Sequence, residues 1–227
     1  MKSFDILTIF PEVCTPYLET SILGRAQEKK LVRIAAHNLR DWSPDKKHKK
    51  VDDKPFGGGP GMVMGIQAFD QALKKLKRKN ARVILTSASG KRFTQADAKR
   101  LAKYDQLIFL CGRYEGVDHR VEKHLADEAL SIGDYVLTGG ELPALAMIDA
   151  ITRLIPGVLG KEASLTMESH DTPGVLEYPQ YTRPEVYPFK KDRKIKKLRV
   201  PTVLLSGHHE KITHWRQKQT KGHTRNV

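Results

Sequence analysis

The amino-acid sequence predicts an α/β domain on a mostly parallel sheet, followed by a smaller basic region. Two observations carry that expectation. Short apolar runs alternate with stretches of helical periodicity over the first two thirds of the chain. Three of those runs also end in glycine-bearing turns, at Thr86–Gly90, Cys111–Gly116 and Ile132–Gly140. Parallel strands that end this way place their loops at one sheet edge, where α/β proteins hold ligands.

Phe4–Ile9 is apolar and β-branched enough for a first strand. Pro16–Lys29 reads as a helix and Val32–Ala36 as a second strand. Trp42–Phe56 is polar and lysine-rich, so it reads as a loop, and Gly57-Gly58-Gly59-Pro60-Gly61 excludes regular structure. Ala68, Phe69, Ala72, Leu73 and Leu76 recur at helical spacing and predict a helix over Gln67–Lys79. Val83–Leu85 is a strand, Thr94 is an N-cap for a helix reaching Lys103, and Leu107–Leu110 is a strand. A helix over Asp118–Leu125 and a strand over Ala129–Ile132 follow. Leu142–Leu154 is a long apolar helix with Pro143 in its first turn, where the missing N–H costs nothing. Lys161–Leu176 is polar, carries Pro173-Gly174 and reads as a linker; a last helix is expected from His209 to Lys218.

With 227 residues, 39% hydrophobic and 29% charged, the balance is that of a soluble globular chain and not a disordered one. Phe4–Phe10 is too short and too polar for a signal peptide or a membrane span. Cys14 and Cys111 are far apart and lack metal-ligand spacing, so a reduced, cytoplasmic protein without structural zinc or a membrane partner is expected. The net charge of +14 points to a polyanionic partner, nucleic acid first. From Glu177 onward 13 basic residues stand against 4 acidic ones, and Lys190–Arg199 alone holds seven.

The glycine turns match neither phosphate-binding fingerprint. Gly90-Lys91 is followed by Arg92 where a P-loop needs Ser or Thr, and the Gly57–Gly61 run breaks the dinucleotide spacing. A nucleoside-like ligand held by backbone groups fits better. His208-His209-Glu210 is not a zinc helix, because Thr213 stands where the second histidine belongs. Cys111 has no neighbouring histidine and reads as a packed core thiol. Lys46–Lys50, beside Asp52-Asp53 and the glycine run, suits a phosphate backbone or is a solvated charge run. Arg153 with Glu168 and Asp171 supplies a cation and carboxylates for acid–base work.

Taken together the motifs are diagnostic. Val51–Met62, Cys111–Gly116, Ser131–Pro143, Ile155–Gly160, Tyr181–Glu185 and Leu205–Glu210 resemble, in order, the signatures of the bacterial tRNA (guanine-N1)-methyltransferase family (TrmD) of the SPOUT class. The resemblance runs from Phe10-Pro11-Glu12 to about Gln219. It implies a parallel sheet with helices on both faces, a deep C-terminal trefoil knot, and a small, mainly helical C-terminal domain. The implied division is a knotted domain over residues 1–160, an active-site linker over 161–176 and a basic tRNA-binding domain over 177–227. It further implies a homodimer with a shared active site. The implied reaction is methyl transfer from S-adenosylmethionine to N1 of guanine at tRNA position 37.

By the same resemblance the knot loops hold S-adenosylmethionine. The first contributes Leu85, Thr86, Ser87 and Gly90, the second Gly112, Tyr114, Glu115 and Gly116. The third contributes Ile132, Gly133, Tyr135, Leu137, Gly139 and Gly140, with Pro143 closing the side. Arg153 matches the catalytic arginine, and Glu168 stands where the family's base is an aspartate, with Asp171 in reserve. Arg25, His48, Asp52 and Ser164 match tRNA-binding or active-site positions, and Glu115 is the candidate for a magnesium ion. The chain departs from the family at Glu168, at Glu177, at Ala88-Ser89 in the first loop, and in a C-terminus short for the family. Glu168 and the short C-terminus define the alternative, a catalytically impaired RNA-binding relative; the intact glycine loops and Arg153 speak against it.

Overall fold

The computed structural model describes residues 1–160, 175–191 and 194–222. The chain divides into two compact units, residues 1–162 and 163–227. In the first, five strands form one parallel sheet: β1 (Lys2–Thr8), β2 (Val32–Asn38), β5 (Ala81–Arg92), β6 (Gln106–Cys111) and β7 (Glu128–Ser131). Their order is β2-β1-β6-β5-β7. A separate antiparallel ribbon pairs β3 (Asp52–Asp53) with β4 (Val63–Met64).

Strand alternation decides which residue faces which helix layer. Phe4, Ile6, Ile84, Leu107 and Phe109 pack against α1 (Thr15–Leu18), α2 (Ser21–Glu28), α4 (Gln95–Leu101) and α5 (Glu141–Thr152). Leu7, Val83, Leu85, Ile108 and Leu110 turn the other way, onto Phe69, Ala72 and Leu73 of α3 (Ile66–Leu76). Helices therefore cover both faces, as a parallel sheet requires. Every residue of β1 is buried because it is central and covered twice. Each fully buried Phe or Leu here stabilises by roughly 1.5–3 kcal/mol.

Two polar arrangements tie the strand starts. Asp5 is fully buried and accepts from Arg33 (2.7 Å) and Gln106 (2.7 Å), with His37 Nε2 at 2.8 Å. Gln106 also donates to Leu76 O at 2.9 Å, closing the end of α3. Lys2 donates from Nζ to the carbonyls of Leu101, Ala102 and Tyr104, so its cation caps the end of α4.

Several sequence expectations change. The helix over Pro16–Lys29 is two helices, broken where Ser21 takes φ +52°. The Trp42–Phe56 loop contains β3, and the strand at Val83–Leu85 is the middle of a 12-residue strand. The register of β5 against β7 jumps between Thr86 and Lys91, so the first glycine turn is a bulge inside a strand. The helix expected over Asp118–Leu125 is present from residue 119, and its Val121–Leu125 part is π-helical. Lys161–Leu176 lies outside the described residues up to position 174.

The second unit has the two expected helical stretches and, in addition, a strand pair that the sequence reading did not expect. β8 (Val186–Lys191) and β9 (Lys194–Arg199) form an antiparallel hairpin ahead of α6 (Thr202–Leu205) and α7 (His209–Gly222). Val186, Tyr187, Phe189 and Ile195 supply the β-branched and aromatic residues that favour strand, masked in the sequence by interleaved lysines. Trp215 of α7 meets Tyr181 at 6.3 Å between ring centroids, and Arg216 lies 4.9 Å from the Tyr178 ring.

Candidate active site

A cavity of about 410 Å³ opens beside the β5 bulge and the carboxyl ends of β6 and β7. Its wall comes from three loops, two of which meet at one crossing. Gly140 N donates to Gly112 O at 3.0 Å, and Arg113 bridges Gly139. A Cβ on Gly140 would strike Thr86 Oγ1 and lie 2.8 Å from Cys111 Cα. Only glycine lets these two segments touch. Tyr114, at φ +63°, and Gly116, at φ +116°, then turn the second loop back around the opening.

Of the residues expected to hold the cofactor, Leu85, Thr86, Ser87, Gly112, Tyr114, Glu115 and Gly116 line this cavity. Ile132, Gly133, Tyr135, Leu137, Gly139, Gly140 and Pro143 line it as well. Gly90 does not. Its backbone lies against β7, where a Cβ would sit 2.6 Å from the Ala129 carbonyl carbon, so it seats the bulge.

Sequence reading missed Arg113, whose signal was its place inside the Cys111–Gly116 turn. The buried Glu141 carboxylate opens α5, accepting at Oε1 from Thr8 Oγ1 (2.5 Å) and Arg113 Nε (3.1 Å). Arg113 Nη2 stands 3.0 Å from Oε2, an ion pair without an aligned hydrogen bond. The guanidinium also lies 4.9 Å from the Phe10 ring. Carboxylate charge at a helix N-terminus is favoured by the helix dipole. This pair fastens β1, the second loop and α5 beneath the opening.

The second loop is also stitched to the glycine run. Glu115 N donates to Met62 O (3.1 Å), Met64 N to Gly116 O (3.0 Å) and Asp118 N to Met64 O (2.8 Å). A Cβ on Gly61 would lie 2.6 Å from Glu115 Cγ. The loop that presents an exposed Phe56 is therefore continuous with the cavity rim.

Arg25 is exposed on α2, and His48 is exposed with Nδ1 3.3 Å from Asp45. Asp52 is half-buried in β3. Arg153 caps the far end of α5 and does not line the cavity. Twelve helical residues separate it from Gly140 by about 18 Å along the axis. Glu168, Asp171 and Ser164 lie outside the described residues. Burial pushes the Cys111 thiol well above its ordinary range and Cys14 to about 11, so both free cysteines behave as core residues. Among the described residues no three His, Cys, Asp or Glu side chains converge as a metal site; Glu115 stands as a single carboxylate on the cavity wall. No helix among them is long and apolar enough to cross a membrane.

Fold and cavity define a class: a parallel α/β domain with a cavity among glycine-bearing loops at one edge of its sheet. The chain belongs to the tRNA (guanine-1)-methyltransferase TrmD family, whose sequence profile matches residues 1–227. The tRNA (guanine-N(1)-)-methyltransferase of Ruminiclostridium cellulolyticum is 52% identical, over 98% of this chain and 92% of its own. Those of Dictyoglomus turgidum and Bacillus subtilis are each 50% identical, over 96% and 95% of this chain and 85% and 86% of their own.

Proposed function

We propose that this protein transfers a methyl group from S-adenosylmethionine to N1 of guanine 37 in tRNA. The observation that carries the reading is the Gly140–Gly112 crossing beside a cavity lined by all three glycine-bearing loops, in a chain of this family. The cavity volume suits a nucleoside with a short side chain. Leu85, Ile132 and Leu137 offer apolar surface to a base, and loop amides and carbonyls offer hydrogen bonds to its edge. When bound there, the donor supplies a methyl group on a sulfonium.

The chain's own residues must then manage one proton. Guanine N1 carries a hydrogen, so its attack requires a base, and Glu168 in the linker takes that role with Asp171 in reserve. Negative charge builds toward O6, and Arg153 stabilises it. Arg153 lies far along α5 from its own cavity, so the reading places it in the site of a second copy. Support for such a homodimer comes from Val13, Val136 and Leu142, exposed apolar residues around one shallow pocket beside the third loop. The residue 139–140 crossing over 112–113 likewise supports a trefoil knot in residues 1–160. Arg25, His48, Asp52 and Ser164 contact tRNA in this reading, in a cytoplasmic protein with a linker over 161–176 and an RNA-gripping unit over 177–227. No step above passes through a metal, and no described residue favours the impaired relative.

The test is transfer of tritium from labelled S-adenosylmethionine to tRNA with guanine at position 37. Label above background is expected, and the Glu168→Ala variant should lose at least 100-fold in turnover while still binding donor. Absence of transfer by the parent, beside an active control enzyme, sinks the reading.

A further inference from the structure

We propose that one face of the β8–β9 hairpin is a docking surface for an unpaired RNA strand, used independently of methyl transfer. The pairs Tyr187↔Leu198, Phe189↔Lys196 and Lys191↔Lys194 place Tyr187, Phe189 and three lysines on a single face of the ribbon. Tyr187 is 55% exposed and Phe189 41%, so neither ring is absorbed by a core. Among the described hairpin residues all but Val186 are exposed.

Three physical points choose the occupant. Lys191 directly faces Lys194, and like charges in that position destabilise a hairpin that, with two strands, is already marginal in water. Among the described residues no cation of the hairpin is paired with a carboxylate. A polyanion offsets this repulsion, whereas another β-strand meets lysines, the residues that keep exposed edges from pairing. The rings then decide the form of the polyanion. Residues two apart on a strand stand about 7 Å apart, a spacing that seats successive splayed bases. Duplex bases are already stacked and hide their faces, so the rings select an unpaired strand. The choice of RNA over DNA rests on the tRNA reading above; the surface itself requires neither methyl donor nor target guanine.

The experiment uses the full chain without S-adenosylmethionine. Fluorescence anisotropy follows a labelled decauridine, which carries no guanine, beside a ten-base-pair RNA duplex. Decauridine should bind at least tenfold tighter than the duplex. Tyr187→Ala and Phe189→Ala should each weaken it about tenfold. Phe189→Leu keeps apolar packing but removes the ring and should lose as much as alanine, whereas Phe189→Tyr should bind like the parent. Lys196→Ala should reduce the slope of log affinity against log salt by about 0.7. Equal binding of duplex, or parent-like binding by Phe189→Leu, overturns the proposal. Because the probe needs no methylation, failure of tritium transfer to tRNA leaves this result readable, and failure here leaves methyl transfer intact.

Discussion

Asp5 and Glu141 are both buried carboxylates of the same α/β unit, and they are satisfied differently. Asp5, near the strand starts, has both oxygens engaged, with Arg33 and His37 at one and Gln106 at the other. Glu141, at the strand ends, has Oε1 doubly engaged while Oε2 faces Arg113 without an aligned hydrogen bond. Beside Asp5 the strands pair in unbroken register, and beside Glu141 glycines remove side chains so that backbones meet. Saturated charge holds the sheet at one end; partly satisfied charge braces a cavity at the other. Burial alone therefore does not separate structural from site-supporting carboxylates; the completeness of their hydrogen bonding does.

The largest effect should come from the saturated end. Asp5→Ala leaves the buried Gln106 amide and the partly exposed Arg33 without their carboxylate, and losing such charge-assisted hydrogen bonds at a buried site costs about 3 kcal/mol. Urea unfolding should show that loss, while calorimetric affinity for S-adenosylmethionine in the remaining folded protein stays at the parent value. Asp5→Asn, which keeps part of the bonding, should lose less and confirm the order. A drop in donor affinity with unchanged stability would erase the distinction between the two ends.

Next in size is Gly140→Ala. The added methyl meets the Cys111 and Gly112 backbone, which cannot swing aside like a flexible side chain. Donor affinity should fall about 100-fold, since overpacking costs about 1–3 kcal/mol and here acts on the cavity itself. Parent-like titration by calorimetry would show that the crossing does not shape the binding site.

Glu141→Gln should have a smaller effect. It preserves shape but removes the charge opposite Arg113, so donor affinity should weaken about tenfold, with about 1–2 kcal/mol lost in stability. A stability loss as large as that of Asp5→Ala, without change in affinity, would make Glu141 a second structural carboxylate.

This contrast also explains what the sequence disclosed. The alternation of strands and helices was legible because burial on both faces leaves continuous apolar runs such as Leu107–Leu110. The glycine turns were legible because only glycine fits where Gly140 sits, although Gly90 proved to seat a bulge. Arg113–Glu141 was not legible: the partners are 28 positions apart, and only the fold brings them together. The break at Ser21 was hidden because an ordinary residue takes a positive φ there. The β8–β9 hairpin was hidden because lysines occupy positions that a two-layer strand would fill with apolar residues. Glu168 and Asp171 lie beyond the described residues, so their roles still rest on motif register.

A third carboxylate separates position from saturation. Asp97 opens α4, close in sequence to the β5 bulge, yet it is built like Asp5. Its oxygens accept from Lys91 (2.8 Å), Arg100 (3.2 Å), Thr94 N (3.1 Å) and Thr94 Oγ1 (2.8 Å). Burial pushes its pKa up, but the bonds from Lys91, Thr94 and Arg100 outweigh it and hold the group at about 2. In the unfolded chain the group titrates near 3.9. The folded state therefore binds the proton less readily, and the stabilisation is fully present above about pH 4. It is lost as pH falls from about 4 through 2. Asp97→Asn should cost about 1 kcal/mol at pH 7, and the difference from the parent should shrink as pH falls from about 4 to 2 and vanish below that, read from urea midpoints across that range. Donor affinity at pH 7 should not change. If Asp97→Asn instead weakens donor binding at constant stability, nearness to the cavity loops, and not completeness of hydrogen bonding, governs what a buried carboxylate does in this fold.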